Sequence, residues 1–299
     1  MKKIFITGGT GHLGSAVIET LLKQISASQI SVITRKADKQ ADFQAKGFNA
    51  FLGSYTDVNV LEQAMEGVDT VLLISSGDQG DRMQEHGNVI DTAKRAGVKC
   101  IAYTGRSLRD RSSLANKLMV EHFETEDYIK ASGLAYTFFR NILYMDAIPQ
   151  FIGGTTALER GIFLPAGEGA VAFALRSEMG EAIANVLLAG DCENKIYNFT
   201  GDKSYSFYDV AAALSELSGN TVQYSAVDIN TFTDMMKQRN VPEAAIKKIV
   251  DFITDIKNNQ EADIYPDLEN ILGRKPASLK EGLKMLFVTQ LRDNALHKS

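Results

Sequence analysis

The stretch "IFITGGTGHLGSAVIETLL", Ile4 to Leu22, decides most of what this chain can become. A β-rich run enters a knot of glycines and an apolar-patterned stretch leaves it. Gly8, Gly11 and Gly14 stand three residues apart between the predicted first strand and first helix. Glycine permits left-handed backbone there and lets amide N–H groups approach a phosphate, while the helix N-terminus adds partial positive charge. A strand, a tight turn and a helix in this order are the context in which a dinucleotide pyrophosphate is held. The competing reading is a structural turn that binds nothing.

The alternation continues. Strands are expected at Lys3–Thr7, Ile30–Thr34, Asn49–Leu52, Thr70–Ile74, Cys100–Tyr103, Ala135–Arg140 and Ile196–Thr200, with helical patterns between them from Leu13–Lys23 to Ser177–Ala189. Runs such as "TVLLIS" are apolar throughout, as strands covered on both faces are. Gly97 and Gly133 fall where a helix ends before a strand, in the position of a C-cap glycine. The pattern predicts an α/β fold, a Rossmann-type doubly wound parallel sheet with a smaller helix-rich C-terminal lobe. Residues 1–200 are expected to form the dinucleotide-binding domain, with 151–176 contributing to a substrate lobe completed by 201–299. Helices are expected there at Asn230–Arg239, Pro242–Lys257 and Ser278–Leu286, with the polar end "RDNALHKS" frayed.

The formal net charge of −5 offers no basic excess for nucleic acid. No apolar run reaches the ~18 residues of a membrane span, and the first strand begins too early for a signal peptide. Cys100 and Cys192 are the only cysteines, neither in a CxxC, and the four histidines show no metal-ligand spacing. A cytoplasmic protein with buried free thiols and no metal is expected.

NAD-preferring sites carry an acidic residue about 20 positions on, where it bonds the ribose 2′-hydroxyl. Here the second strand ends in Arg35-Lys36, 21 residues after Gly14. A guanidinium grips a 2′-phosphate that a carboxylate repels, so NADP(H) is expected over NAD(H). A solvated surface arginine is the alternative. Ile74 and Ser75 end the fourth strand, where they either line the adenosine–ribose path or simply close the strand.

None of the ten tyrosines is followed four residues later by a lysine. The Tyr-x-x-x-Lys pair by which ordinary short-chain dehydrogenases move a hydroxyl proton is therefore missing. His122 and Glu126 stand four apart in "HFETE", either as a helix-supporting pair or as a proton relay.

Taken together, "TGGTGHLG" with Arg35, "LLISS", "AKRAGVKCIAYTG", "HFETE", "SGLAYTFFRNILY" and "NKIYNFTGDKSYSF" resemble the NmrA-like atypical short-chain dehydrogenases. Within them the likeness is to the bacterial NADPH:quinone and triphenylmethane reductase group. The resemblance implies that Gly8, Gly9, Thr10, Gly11, His12 and Leu13 wrap the pyrophosphate and Arg35 the 2′-phosphate. It implies Ile74 and Ser75 along the middle of the cofactor and Tyr103 and Thr104 near the nicotinamide ribose. Asn141 and Ile142 would then sit near the nicotinamide, and Asn141 and Tyr144 would orient the acceptor, with His122 as proton source. One departure is visible: the family's Gly-Asp before an aromatic becomes Gly53-Ser54-Tyr55, and Asp57 is either the substitute carboxylate or a helix cap.

The activity implied is hydride transfer from NADPH to a quinone or similar conjugated electrophile, without flavin. The resemblance also leaves room for a non-catalytic NADP(H)-sensing regulator and for a triphenylmethane-dye reductase. Its partner is a small molecule, with a homodimer left open.

Overall fold

A computed structural model describes residues 2–77, 80–190 and 192–296. The chain divides into two compact units. The first comprises Met1–Arg106, Leu118–Asn141 and Arg176–Asn198; the second comprises Ser107–Lys117, Ile142–Leu175 and Phe199–Ser299.

The first unit is built from β1 (Ile4–Ile6), α1 (His12–Leu21), β2 (Ile30–Thr34), α2 (Ala37–Ala45), β3 (Asn49–Leu52), α3 (Val58–Ala64), β4 (Thr70–Ile74), α4 (Arg82–Arg95), β5 (Cys100–Arg106), α5 (Lys117–Ser132), β6 (Ala135–Asn141), α6 (Arg176–Ala189) and β7 (Lys195–Phe199). The sheet order is β3-β2-β1-β4-β5-β6-β7, and the pairings from β3 through β6 are parallel. The expected doubly wound sheet is present. Its order reverses between β1 and β4, which opens a crevice at their carboxyl ends.

The strands are apolar throughout because both faces are covered. Phe5, Val71, Leu73, Ile101, Tyr103 and Phe138 pack on Leu61 and Ala64 of α3, Val89, Ile90 and Ala93 of α4, and Ile129 of α5. Strand alternation turns Ile4, Ile6, Val32 and Leu72 to the opposite face, where Ile18 of α1 meets Val32 beside Gly9. α1 and α6 approach closely at Gly180, where an added Cβ would lie 2.5 Å from Ala16 Cβ.

The expectation of two separate thiols is corrected. Cys100 and Cys192 form a disulfide with Cα atoms 5.9 Å apart. A parallel sheet lines up all its strand starts along one edge. The connection into β7 crosses the amino end of β6, where Asn194 accepts a hydrogen bond from the Tyr136 N–H at 3.0 Å, and so reaches the first residue of β5. The sequence separation of 92 residues gives no hint of this meeting.

In the second unit, Ile162–Leu164 pairs in parallel with Tyr224–Ala226, and Ala170–Val171 pairs antiparallel with Tyr205–Ser206. Helices follow at Phe207–Ser218, Ile229–Gln238, Glu243–Lys257, Asp267–Leu272 and Leu279–Leu296. The helix at Phe207 starts on a capping box, Ser206 accepting from the Asp209 N–H while Asp209 accepts from the Ser206 N–H. The frayed end expected at 292–299 is instead helical through Leu296; residues 297–299 lie outside the described ones. The segment leaving β5 is bound firmly within this unit. The buried Asp255 carboxylate accepts from the N–H groups of Ala115 (2.6 Å) and Asn116 (3.0 Å), and Gln260 accepts from the N–H groups of Arg109 and Asp110.

Replacing Gly180 with Ala tests the α1–α6 contact. Helix propensity alone favours Ala by about 1 kcal/mol, while overpacking costs about 1–3 kcal/mol. A net fall in Tm of a few degrees is expected by calorimetry, and a rise would contradict the close approach.

Candidate functional site

Immediately after β1 the backbone reverses at Gly8, whose φ of +62° is left-handed. The Gly11 N–H donates to the Gly8 carbonyl at 3.0 Å, and the Ser15 N–H to the Gly11 carbonyl at 2.8 Å. Gly14 has no room for a side chain: a Cβ would lie 2.3 Å from the Gly8 carbonyl oxygen and 2.8 Å from Gly9 Cα. The first turn of α1 is thus pressed onto the glycine turn. No side chain caps α1, since its N-cap is Gly11. Thr10, Gly11 and His12 are exposed at this end, while Leu13 is buried beneath it. Exposed amides at an uncapped helix N-terminus beside a glycine turn can hold a phosphate.

Arg35 is exposed just past β2. Near it the Tyr55 phenol donates to the Ile74 carbonyl at 2.9 Å, tying the loop after β3 to the end of β4. Burial, the dominant cause, pushes that phenol up to about 12, against the pull of the Arg35 charge. The Asp57 carboxylate accepts from the Ser54 N–H (2.7 Å) and the Ser54 hydroxyl (2.8 Å), and it makes no cap bond to α3 although it stands at the N-cap position.

The ends of β4 and β5 are tied together. The Thr104 hydroxyl accepts from the Ser75 N–H at 3.0 Å, and Thr7 accepts from the Ile74 N–H at 2.9 Å. Ser76 is gripped on both sides of its backbone: His86 Nε2 accepts its N–H at 2.9 Å, and Arg82 Nε donates to its carbonyl at 3.2 Å. Because Nε2 accepts, Nδ1 carries the proton, and it faces the Thr125 hydroxyl at 2.9 Å. Arg82 also donates to the Leu118 carbonyl and pairs with Glu121 at 3.1 Å. Sequence reasoning missed Arg82 and His86. Their four-residue spacing at the start of the helix after "LLISSG" was the available signal.

Tyr103 does not face the crevice. It is completely buried, and its hydroxyl meets His122 Nδ1 at 2.8 Å. The His122–Glu126 pair expected from spacing is corrected, because the sheet claims each partner separately. Glu126 is held by both Nε (2.8 Å) and Nη2 (2.6 Å) of Arg140 on β6. Burial, with the charge of Arg82 next, drives His122 well below the ordinary imidazole range, so it is neutral. Asn141, fully buried, ends β6 opposite Arg106 in register. Ile142 and Tyr144 belong to the second unit, where Ile142 N–H donates to the Phe199 carbonyl at 3.0 Å and Tyr144 bridges Ala174. Among the described residues no group of three or more His, Cys, Asp or Glu side chains is arranged to hold a metal. Among the described residues no helix is long and apolar enough to cross a membrane.

The two neutral imidazoles make stability pH-dependent. Burial, with the Arg82 charge as second cause, lowers His86 from 6.5 to about 3. Below pH 6.5 the unfolded chain binds a proton that the folded chain refuses, so stability falls as pH drops from 6.5 toward 3. Urea unfolding between pH 7 and 5, above the carboxylate range, should show this fall, at up to about 1.4 kcal/mol per pH unit for each imidazole. His86→Asn should flatten the slope by about half; an unchanged slope would contradict a neutral buried His86.

The profile of the NmrA-like family matches residues 1–286. The chain is 36% identical to quinone oxidoreductase 2 of Escherichia coli (strain K12) over 285 residues, covering 95% of this chain and 98% of that protein. The E. coli NADPH-dependent quinone oxidoreductase QOR2 in complex with NADPH superposes with a TM-score of 0.88 at 35% identity, covering 95% of this chain and 99% of that one. The Citrobacter sp. triphenylmethane reductase complexed with NADP(H) does so with a TM-score of 0.87 at 32% identity, with the same coverage. With a match across nearly its whole length and relatives this similar, the chain belongs to the NmrA-like family.

Proposed function

We propose that this chain is an NADPH-dependent oxidoreductase that passes hydride directly to a quinone or a similar conjugated electrophile. The observation that carries the reading is the glycine turn: backbone amides and an uncapped helix N-terminus at the carboxyl end of β1, with Gly14 unable to carry a Cβ. That cradle fits a pyrophosphate, and Arg35 past the next strand fits a 2′-phosphate. The quinone oxidoreductase and triphenylmethane reductase relatives, both known as complexes with NADPH or NADP(H), support the same assignment.

In this reading Gly8, Gly9, Thr10, Gly11, His12 and Leu13 hold the pyrophosphate, chiefly through backbone. Arg35 holds the 2′-phosphate by charge-assisted hydrogen bonds. Ile74 and Ser75 line the path between them, kept in place by Thr7, Thr104 and the grip of His86 and Arg82 on Ser76. Tyr103 and His122 act beneath this surface, as a buried pair that fixes β5 against α5. Bound NADPH supplies a hydride. A quinone takes hydride with little acid assistance, since the product ring is aromatic and solvent protonates its oxygens. The missing Tyr-x-x-x-Lys pair is then no obstacle, and a neutral, buried His122 is not required as an acid. The chain's contribution is orientation and exclusion of water, which lower the barrier without proton chemistry.

Stopped-flow oxidation of NADPH against a panel of quinones is the test, with turnover expected and absence of turnover with every acceptor overturning the reading. Arg35→Ala should raise KM for NADPH about tenfold or more while leaving KM for NADH nearly unchanged, as loss of a charge-assisted contact of about 1.5–3 kcal/mol implies. Equal effects on both cofactors would remove Arg35 from the site.

A further inference from the structure

Three successive amides at the carboxyl end of β4 are each taken by a side chain from a different element. The Ile74 N–H goes to Thr7 Oγ1 just after β1 (2.9 Å), the Ser75 N–H to Thr104 Oγ1 on β5 (3.0 Å) and the Ser76 N–H to His86 Nε2 on α4 (2.9 Å). The Ile74 carbonyl is taken as well, by the Tyr55 hydroxyl. A lip held at every amide keeps one backbone geometry. Thr7 and Thr104 need nothing further to hold it, because a hydroxyl oxygen always has a lone pair to offer. His86 differs. A neutral imidazole accepts at Nε2 only when its proton sits on Nδ1, so the third hold depends on the tautomer. Burial keeps the ring neutral, which leaves only that choice.

Thr125 makes the choice. It is fully buried on α5, and its Oγ1 lies 2.8 Å from the Glu121 carbonyl and 2.9 Å from His86 Nδ1. A carbonyl only accepts, so the single hydroxyl proton points there, one helical turn back. Met83 Sδ, at 3.6 Å, is the weaker acceptor. The Tyr103 hydroxyl borders the same oxygen and can fill its second lone pair. Toward Nδ1 the Thr125 oxygen therefore presents a lone pair, and Nδ1 carries the proton. The chain of bonds runs one way: Ser76 N–H into Nε2, Nδ1–H into Thr125, Thr125 into the Glu121 carbonyl. The other tautomer would set Nε2–H against the Ser76 N–H, donor against donor.

We propose that Thr125 is a positioning residue for the cofactor, fixing through His86 the lip from Ile74 to Ser76 along which the dinucleotide lies. The proposal rests on the NADPH reading above. Replacing Thr125 with Val keeps the shape of the side chain and removes the acceptor. The Nδ1–H is then buried without a partner, and moving the proton to Nε2 gives up the hold on Ser76. Neither outcome touches the glycine turn or Arg35. The loss therefore falls on the stretch of nucleotide that NADPH and NADH share. That separates Thr125 from Arg35, whose removal is felt by the 2′-phosphate alone.

The test combines nitrogen NMR of the histidine rings in the full, isotope-labelled chain with titrations of NADPH and NADH. The His86 ring signals are identified by their loss in His86→Asn. In the wild type they should show a proton on Nδ1 and a bare Nε2. Thr125→Val should abolish that pattern and weaken NADPH and NADH alike, by about fivefold, with the ratio between them kept. Thr125→Ser, which keeps the hydroxyl, should restore both the pattern and the two affinities. A wild-type His86 protonated at Nε2, a Thr125→Val chain that binds both nucleotides as before, or a Thr125→Ser chain that behaves like Thr125→Val would overturn the proposal. A wild-type chain that binds neither nucleotide would overturn the cofactor reading itself, and this use of the lip with it.

Discussion

Everything at the carboxyl edge of the sheet depends on a contact that excludes a single carbon atom. Gly14 begins α1 so close to the turn that a Cβ would fall 2.3 Å from the Gly8 carbonyl. The first amides of the helix and the turn are thereby fused into one rigid surface at the end of β1. The neighbours of that surface are fixed in the same way: Tyr55 ties to the Ile74 carbonyl, Thr104 to Ser75, and His86 with Arg82 to Ser76. A crevice built from backbone groups needs such bracing, because backbone N–H and C=O groups bind only where the chain is held still.

The buried groups around Ser76 show how a polar network is made tolerable inside a core. His86 is neutral and uses both ring nitrogens, one accepting from Ser76 and one facing Thr125. Arg82, 4% exposed, pairs with Glu121 and donates to the Ser76 and Leu118 carbonyls. Glu126 and Arg140 form a bidentate pair a few residues away. Each charge buried here has a partner, as the cost of burying it demands. The same requirement makes the region a support for the crevice and leaves little freedom for acid–base work by His122.

The parallel sheet and the glycine turn were legible in the sequence because they rest on local patterns: apolar runs, glycine spacing and helix periodicity; the strand order came only with the pairings. Arg35 was expected from its distance along the chain to the glycines, and the structure leaves it exposed just past β2. What stayed hidden depends on pairings between elements. His122 and Glu126 sit on one helical face by spacing, yet Tyr103 and Arg140 on neighbouring strands claim them. Cys100 and Cys192 meet only because parallel strands share a starting edge. Asp255 reaches back across 140 residues to hold the Ala115 N–H, which no local pattern announces. Side chains whose partners come from another strand or helix are read only after the topology is known.

The central claim is that the turn from Gly8 to Gly14, with Arg35 beyond β2, is a seat for a 2′-phosphorylated dinucleotide. Isothermal titration of the purified chain with NADPH and with NADH, at one ionic strength, tests it most directly. The account predicts one site per chain, with NADPH bound at least about tenfold more tightly than NADH, the difference carried by the extra phosphate. No heat with either nucleotide, or equal affinity for both, would contradict it.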